Sequence, residues 1–442
     1  MSSEVINLLQ RLIQNACVNT GSADSGHEHR SVATLQEFFG AKGEVFEPAP
    51  GRQSIVYRVP GTDSDAPSLA LVPHLDVVPV DPDGWTHDPF GAEIVDGFVY
   101  GRGAVDMLNI AAAFAHAFRP YLQGELHPRG DLIFAAVADE EAGGIHGAHQ
   151  LVKHRWDLVG ADYMLTEVAY PKVSIGSGDV IPVAVAEKGS HFSRLKTSGV
   201  PGHGSAPYGT DNALEKLVQA LNMLMGAQSP VSIGEVWASF VPALGLDSEM
   251  TEALLDPQRV DAAIEFINAE DPLFARYVHA ATHLTVSPNQ ALGGSKVNII
   301  ADQAKAILDI RTLPGMDRGF VDSFLSEAIG NVRDNVQIKS LGNNNATASS
   351  TDGPLWEAIS HGVSEIEGVS RLVPTLMTVA TDARFWRRRG TTAYGVGLYD
   401  ERTSFSEMLA LFHGHNERVS TLSVERTADL YERVLKVFLD PR

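Results

Sequence analysis

Short apolar runs alternate with helical patterns over the first part of the chain. Residues 68–72 and 131–137 are apolar runs of strand length, and each is followed by polar or acidic positions. Residues 109–118, between them, are rich in alanine and spaced as a helix. Strands and helices that alternate in this way predict an α/β domain.

A different pattern begins near residue 187. A strand over residues 192–197 and an amphipathic helix over 212–225 are followed by two alternating strands within 297–311. This mixture predicts a compact α+β unit inserted into the first domain. Residues 231–285 are mostly helical in pattern, and the sequence alone assigns them no role.

A polar stretch rich in helix and strand breakers, residues 342–353, ends this unit, and a strand pattern then resumes. The predicted organisation is a larger domain split by a smaller one. The first part of the larger domain covers residues 1–186, the inserted domain covers 187–345, and the second part covers 346–442.

Composition and charge exclude several classes of protein. The chain has 442 residues with 34 Lys and Arg against 55 Asp and Glu, a formal net charge of −21. Nucleic acids and anionic membranes are therefore not expected partners, because both require basic surface. The single cysteine, Cys17, excludes an intrachain disulfide and a thiolate-rich metal site. The first 18 residues pattern as an amphipathic helix rather than a signal peptide, and we expect a cytoplasmic protein.

Polar residues that follow the predicted strands could carry chemistry. In His74-Leu75-Asp76, alternate side chains point the same way, so the imidazole could bind a metal while the carboxylate orients it. The adjacent Glu140 and Glu141 point in different directions, which suits one base and one ligand. Taken alone, a His-x-Asp segment is more often a histidine at a strand end without a metal. A pair of adjacent glutamates is more often the solvated start of a helix.

Two further groups leave the same choice open. Asp106 precedes the alanine-rich helix and could be its N-cap or a ligand. His413 and Glu417 are four residues apart, one helical turn, so a ligand and a supporting carboxylate could lie together. The run Arg387-Arg388-Arg389 predicts a solvated helix end.

Several motifs in order along the chain carry a resemblance to a known family. They are Pro73 to Pro79, Trp85 to Met107, Ala138 to Glu141, Glu187 to Gly189, Pro201 to Ser205, Gly293 to Asn298, Asp309 to Arg311 and His413 to Glu417. With these motifs the chain resembles the dinuclear zinc amidohydrolases that include aminoacylase, acetylornithine deacetylase, succinyl-diaminopimelate desuccinylase and glutamate carboxypeptidase.

The resemblance implies a fold with a catalytic domain, whose mixed central sheet is flanked by helices, and a smaller lid domain that also forms a dimer. It implies two divalent metal ions, zinc first, with cobalt or manganese compatible with the same ligands. His74 and Glu167 would bind one ion, Glu141 and His413 the other, and Asp106 would bridge them. Asp76 would orient His74, and Glu140 would be the general base.

The resemblance also implies how a substrate is held. His203 would reach into the partner's active site and stabilise the oxyanion, while Asn298 and Arg311 would hold the substrate's carbonyl and free carboxylate. Arg311 alternates in phase with Asp309, so a simple ion pair between them stays an alternative. The fork of a guanidinium matches a carboxylate well, which favours the binding role.

The expected function is hydrolysis, by metal-activated water, of the amide bond in a small N-acyl amino acid or dipeptide-like compound. A dipeptidase or carboxypeptidase is the alternative within the same class, and a catalytically inactive relative that binds small acids or peptides is the alternative outside it. Two departures from the family pattern concern details of the site. Leu108-Asn109 stands where the family has Lys-Gly, and residues 377–380 replace a glycine-rich run before Thr381-Asp382-Ala383.

Overall fold

The computed structural model describes residues 3–175, 178–368 and 371–439. The helices are α1 (Glu4–Gln14), α2 (His29–Phe39), α3 (Leu108–Leu122), α4 (Ala148–His154), α5 (Trp156–Val159), α6 (Ala213–Gly226), α7 (Glu235–Phe240), α8 (Ser248–Leu255), α9 (Val260–Glu270), α10 (Pro272–Thr282), α11 (Arg318–Ala328), α12 (Pro354–Glu367), α13 (Ala383–Arg387), α14 (Phe405–Leu411) and α15 (Thr421–Leu439).

The strands fall into three sheets. The large sheet contains β1 (Glu44–Phe46), β2 (Ser54–Val59), β3 (Leu69–Leu71), β6 (Leu132–Ala136), β7 (Tyr163–Thr166), β8 (Val173–Ile175), β9 (Gly178–Glu187), β15 (Thr347–Ala348), β16 (Leu372–Met377) and β17 (Thr392–Gly395). A second sheet, called the lid sheet below because it lies within the predicted inserted domain, contains β10 (Gly189–Ser190), β11 (Ser193–Ser198), β12 (Thr285–Gly293), β13 (Gln303–Thr312) and β14 (Val336–Ser340). A small sheet contains β4 (Ile94–Val95), β5 (Phe98–Tyr100) and β18 (Arg418–Ser420).

The large sheet is mixed, with a parallel centre and helices packed against it. Its order is β1-β2-β6-β3-β7-β17-β9-β15. The four central strands β6, β3, β7 and β17 run parallel to one another, whereas β2 pairs antiparallel with β6 and β9 pairs antiparallel with β17. Strand β6 is buried along its whole length, and helix α3 next to it is buried on most sides, which explains its alanine-rich sequence. The predicted α/β class with a mixed sheet is confirmed.

The lid sheet is antiparallel, and its strands lie between Gly189 and Ser340. The two strands expected within 297–311 are in fact one, β13, and its partner β12 begins at Thr285, where the helical pattern was expected to end. Residues 295–302 form a turn instead of a strand. The limits 187–345 for the inserted domain stay a prediction.

Helices α7 to α10 occupy residues 231–285, called the helical insert below. An isolated antiparallel β-bridge between Val231 and His283 brings the two ends of the insert together beside the lid sheet. In the described part of the chain, no helix is both long enough and apolar enough to cross a membrane.

The arginine run at the end of α13 differs in part from the expected solvated helix end. Arg387 is buried and pairs with Glu187 at the end of β9, with 3.2 Å between Nη1 and Oε1, whereas Arg388 and Arg389 are exposed. The first arginine therefore fixes the point where the chain leaves the large sheet, and only the other two lie on the surface.

Candidate metal centre

The predicted metal ligands meet at one edge of the large sheet. Strands β3, β6 and β7 are parallel neighbours, so their carboxyl ends lie at the same edge. Each is followed by a polar segment of the site, with His74 after β3, Glu141 after β6 and Glu167 after β7. Asp106 arrives from the loop before α3, and His413 follows α14.

These residues form two ligand sets that share one carboxylate. In the first set, Nε2 of His74 lies 3.2 Å from Oδ1 of Asp106 and 3.7 Å from Oε2 of Glu167. In the second set, Nε2 of His413 lies 3.1 Å from Oδ2 of Asp106 and 3.3 Å from Oε2 of Glu141. Within each set the ligand atoms are all within 4.8 Å of one another. Asp106 turns one oxygen to each histidine, which is the geometry a bridging ligand requires.

The donor chemistry fits divalent cations. Imidazole nitrogens and carboxylate oxygens without thiolates suit zinc, cobalt or manganese. One oxygen of Glu141, Oε1, is buried without a hydrogen-bond partner among the described residues, and the cluster gathers several carboxylates with few cations. Cations bound between the two sets would satisfy these oxygens and offset their charge.

His74 is oriented by the main chain of Asp76 rather than by its carboxylate. Nδ1 of His74 lies 3.0 Å from the main-chain oxygen of Asp76 but 3.7 Å from Oδ1. A proton on Nδ1 would donate to that oxygen and leave the lone pair of Nε2 directed at the ligand set. The carboxylate of Asp76 instead accepts the backbone N–H groups of Glu140 and Glu141, each at 3.1 Å. Asp76 thus fixes both His74 and the turn that carries the predicted base.

Glu417 supports the loop of Asp106 and not the imidazole of His413. The expected helical turn is absent from this segment, since His413 has a φ of 57°. Oε1 of Glu417 accepts the backbone N–H groups of Gly103, Val105 and Asp106 at 2.8 to 3.2 Å. Met107 is the N-cap of α3, so Asp106 is not its cap, and its carboxylate faces the ligand sets.

Arg102 completes this support. Its Nη1 donates to Oε2 of Glu417 at 2.7 Å, and its Nη2 donates to the main-chain oxygen of His413 at 3.1 Å. Arg102 and Glu417 are both buried. The buried pair therefore ties the loop of the shared carboxylate to the loop of the second histidine.

The ionisation of the site reflects burial and mutual charge. Burial would lower the pKa of His413, but hydrogen bonds to Asp106 and Glu141 outweigh it and raise that pKa to about 10. Burial, and then the charge of Asp106, raise the pKa of Glu141 to about 7. Burial, and then the charge of Glu167, raise the pKa of Glu140 well above its usual range. Burial and mutual repulsion thus make the charged form of these carboxylates costly, and bound cations would offset that cost.

A buried polar network behind Asp76 was not anticipated from the sequence. Nδ2 of Asn19 donates to Oδ2 of Asp76 at 2.8 Å, and Oδ1 of Asn19 accepts from Arg52 at 2.9 Å. Arg52 also pairs with Glu28, with 2.7 Å between Nη1 and Oε1. No local pattern marked these residues, because tertiary contacts such as the pairing of Val18 with Val77 bring the N-terminal segment to the site.

The predicted oxyanion donor and the two predicted substrate-binding residues lie on or beside the lid sheet and fall into two places. His203 forms an isolated β-bridge with Ile299, and the backbone N–H of Gly204 donates to the main-chain oxygen of Asn298. His203 and Asn298 are therefore neighbours. Arg311 lies near the other end of β13, opposite Ser190. Its Nε and Nη2 donate to the carboxylate of Asp309 at 2.7 and 3.2 Å.

The mixed α/β fold, the antiparallel lid and the two ligand sets sharing a carboxylate define a metal-dependent amidohydrolase. The chain belongs to peptidase family M20/M25/M40, whose model matches residues 70–437. The predicted resemblance to this group of enzymes is confirmed.

Similar proteins span nearly the whole chain. Aminoacylase-1 of Sus scrofa is 27% identical over 415 residues, which cover 92% of this chain and 89% of that protein. The M20 family metallo-carboxypeptidase Sso-CP2 from Sulfolobus solfataricus has a similar structure, with a TM-score of 0.73 at 18% identity, covering 99% of both chains. Human carnosine dipeptidase 1 aligns with a TM-score of 0.71 at 16% identity, covering 99% of this chain and 96% of that one.

Proposed function

We propose that this protein hydrolyses the amide bond of a small N-acyl amino acid with a free carboxylate, and that two divalent ions assist it. The observation that carries the proposal is the placement of Glu140 beside two ligand sets joined by Asp106. The sequence similarity to aminoacylase-1 over most of both chains supports the N-acyl amino acid as the substrate class.

His74, Asp106 and Glu167 would hold one ion, and Asp106, Glu141 and His413 the other. A pair of divalent ions bound there supplies a water molecule of lowered pKa and a positive charge beside the amide carbonyl. Zinc is our first candidate for both positions.

Glu140 would move the proton of the reaction. Its carboxylate takes a proton from the attacking water and later delivers it to the nitrogen of the leaving amine, while the amide carbon gains the hydroxyl and becomes a carboxylate. Burial and the charge of Glu167 raise the pKa of Glu140, which favours its acceptance of a proton. The two hydrogen bonds from the 140–141 turn to Asp76 keep this carboxylate in place.

His203 and Asn298 would serve the active site of a partner subunit. They lie before the start of β13, and Arg311 lies eight residues beyond Gln303, about 25 Å along an extended strand. The Arg311 end lies beside Ser190, so His203 and Asn298 lie at the opposite end of β13 from Arg311, which supports a donor that comes from a second subunit. In a dimer, His203 would donate to the developing oxyanion and Asn298 would bind the carbonyl.

Arg311 would bind the substrate's carboxylate. Its guanidinium is partly exposed and pairs with Asp309. The Cζ atom of Arg311 lies 5.4 Å from the centre of the Phe192 ring. A substrate carboxylate would compete with Asp309 for the same planar fork, which favours a tightly fitting anion over water.

The Glu140→Gln variant tests the assignment of the base. We expect zinc content and unfolding temperature to stay at the wild-type values, while kcat falls by about 100-fold or more. Glu125→Gln, at an exposed site far from these loops, is the control and should retain full activity. An unchanged kcat in Glu140→Gln would remove Glu140 from its role.

A substrate panel tests the substrate class. N-acetyl amino acids, longer N-acyl amino acids and dipeptides are compared by kcat/KM with the zinc-loaded enzyme. The proposal expects the highest value for an N-acyl amino acid. Preference for dipeptides would establish the dipeptidase alternative, and no turnover of any compound would favour the inactive binding protein.

A further inference from the structure

The helical insert (residues 231–285) packs on the catalytic domain through an aromatic cluster. Tyr277 and Phe274 of α10 lie 5.2 and 6.1 Å from the ring of Phe405, and Phe240 of α7 lies 6.2 Å from it. Tyr170 of the catalytic domain stacks on Phe405 at 5.0 Å. Aromatic pairs at these distances contribute energy beyond the area they bury. The insert is therefore joined to the lid by sequence and to the catalytic domain by contact.

Hydrogen bonds from both domains fix the insert in this position. Oδ1 of Asp271 caps α10 by accepting from the N–H of Phe274 at 3.0 Å, and its Oδ2 accepts from the hydroxyl of Ser406. The hydroxyl of Tyr277 donates to the main-chain oxygen of Leu376 in β16 at 3.2 Å. At the other end of α10, the buried ammonium of Lys188 donates to the main-chain oxygens of Ala280 and His283, both at 2.6 Å.

The contacts fall on the helix that leads to His413. Phe405 and Ser406 are the first two residues of α14, which ends at Leu411, two residues before the ligand. Met408 and Leu411 of α14 are buried in the protein core, while Phe405 and Ser406, at its start, contact the insert. The position of the first turn of α14 is therefore set in part by the insert.

The other histidine ligand does not depend on such a contact. His74 is bridged to Val137 within the large sheet and held at Nδ1 by the main chain of Asp76. The loop of Glu167 is bridged to the same sheet through Ala169 and Val183. The side chain of His413, by contrast, is half exposed, at 50%. His413 is thus held outside the large sheet, by the bond from Arg102 to its main-chain oxygen and by the position of α14.

We propose that the helical insert is a positioning element for His413, and that it sets the metal affinity of the Asp106, Glu141 and His413 set. The residues that act are Tyr277 and Asp271, through Phe405 and Ser406 of α14. This inference rests on the proposed metal centre. The helical insert, to which the sequence assigned no role, would thus support one ligand set and not the other.

Zinc titration of the metal-free protein tests the proposal without using activity. The Tyr277→Ala variant is compared with wild type by competition against a chromophoric chelator, which resolves two binding constants. We expect the weaker binding of one zinc, by about tenfold or more, with the other constant unchanged. Phe266→Ala, an exposed aromatic side chain of the same insert, is the control and should leave both constants unchanged.

A second pair of variants identifies the affected set and guards against misfolding. In a His413→Ala background, adding Tyr277→Ala should leave the constant of the remaining zinc unchanged. Ser406→Ala removes only one hydroxyl and should weaken the same zinc by about threefold without lowering the unfolding temperature.

Two results would overturn the inference: unchanged constants in Tyr277→Ala, or equal weakening of both with a lowered unfolding temperature. A wild-type protein that binds no zinc would refute the metal centre itself, which keeps the two failures distinct.

Discussion

At the scale of single residues, two carboxylates organise the centre by accepting backbone N–H groups rather than by accepting from the imidazoles of the ligands. Asp76 accepts the N–H groups of Glu140 and Glu141, and Glu417 accepts three N–H groups in the loop of Asp106. The spacing His-x-Asp predicts that His74 and Asp76 are close. The same spacing allows either the main-chain oxygen or the carboxylate of Asp76 to contact the imidazole. The sequence could therefore identify these residues and could not determine which of their atoms act.

The first prediction at this scale concerns Glu417→Gln. Its carboxylate is buried, accepts three N–H groups at one oxygen and pairs with Arg102 at the other. A glutamine must turn its amide hydrogens toward one of these donors and leaves Arg102 without a counter-charge. We expect the free energy of unfolding, measured in urea, to fall by about 3 kcal/mol, the usual cost of breaking a buried pair.

Zinc affinity should fall in the same variant, because both ligand sets use the Asp106 loop. The matched control is Glu401→Gln, which removes an exposed carboxylate that lies 3.4 Å from Lys172. Exposed pairs contribute little, so its urea midpoint should stay close to wild type. A Glu417→Gln variant as stable as this control would contradict the role assigned to the buried pair.

At the scale of elements, the apolar strands and amphipathic helices of the sequence correspond closely to the structure. Strands β3 and β6 and helices α3 and α6 begin and end within four residues of their expected positions. Strand β12 was missed because most of its residues are exposed, so its sequence lacks an alternating apolar face. The turn before β13 carries apolar residues that mimic a strand, and one of them, Val297, is fully exposed.

Exposed apolar residues of α6 and β12 lead to a prediction about assembly. Val218 and Met225 of α6 are 58% and 69% exposed, and Leu292 of the neighbouring strand β12 is 59% exposed. Such a surface is typical of a subunit interface, and it adjoins the loops of His203 and Asn298. We expect Val218→Glu to sediment as a monomer and to lose most of its kcat, since His203 would no longer reach a partner's substrate.

Gln219→Glu introduces the same charge at the next position of α6, away from the apolar face, and should remain dimeric and active. A wild-type protein that sediments as a monomer with full activity would refute both the interface and the donor role of His203 across it.

At the scale of the whole molecule, the net charge of −21 determines how an anionic substrate approaches. Two divalent ions would add four positive charges, so the protein stays strongly acidic and repels a carboxylate at long range. The screening length falls to about 10 Å in 0.1 M salt, which weakens this repulsion while the contacts inside the site remain. We therefore expect kcat/KM for an N-acyl amino acid to rise by about twofold or more between 0.02 and 0.2 M KCl, at saturating zinc.

The charge of the substrate provides the control for this last prediction. An N-succinyl amino acid carries one more negative charge than its N-acetyl counterpart, so its kcat/KM should rise more steeply with KCl. Equal slopes would mean that salt acts on the protein and not on the encounter. A fall of kcat/KM with salt would show that basic groups near the entrance, Arg311 among them, govern the approach of the substrate in spite of the overall charge.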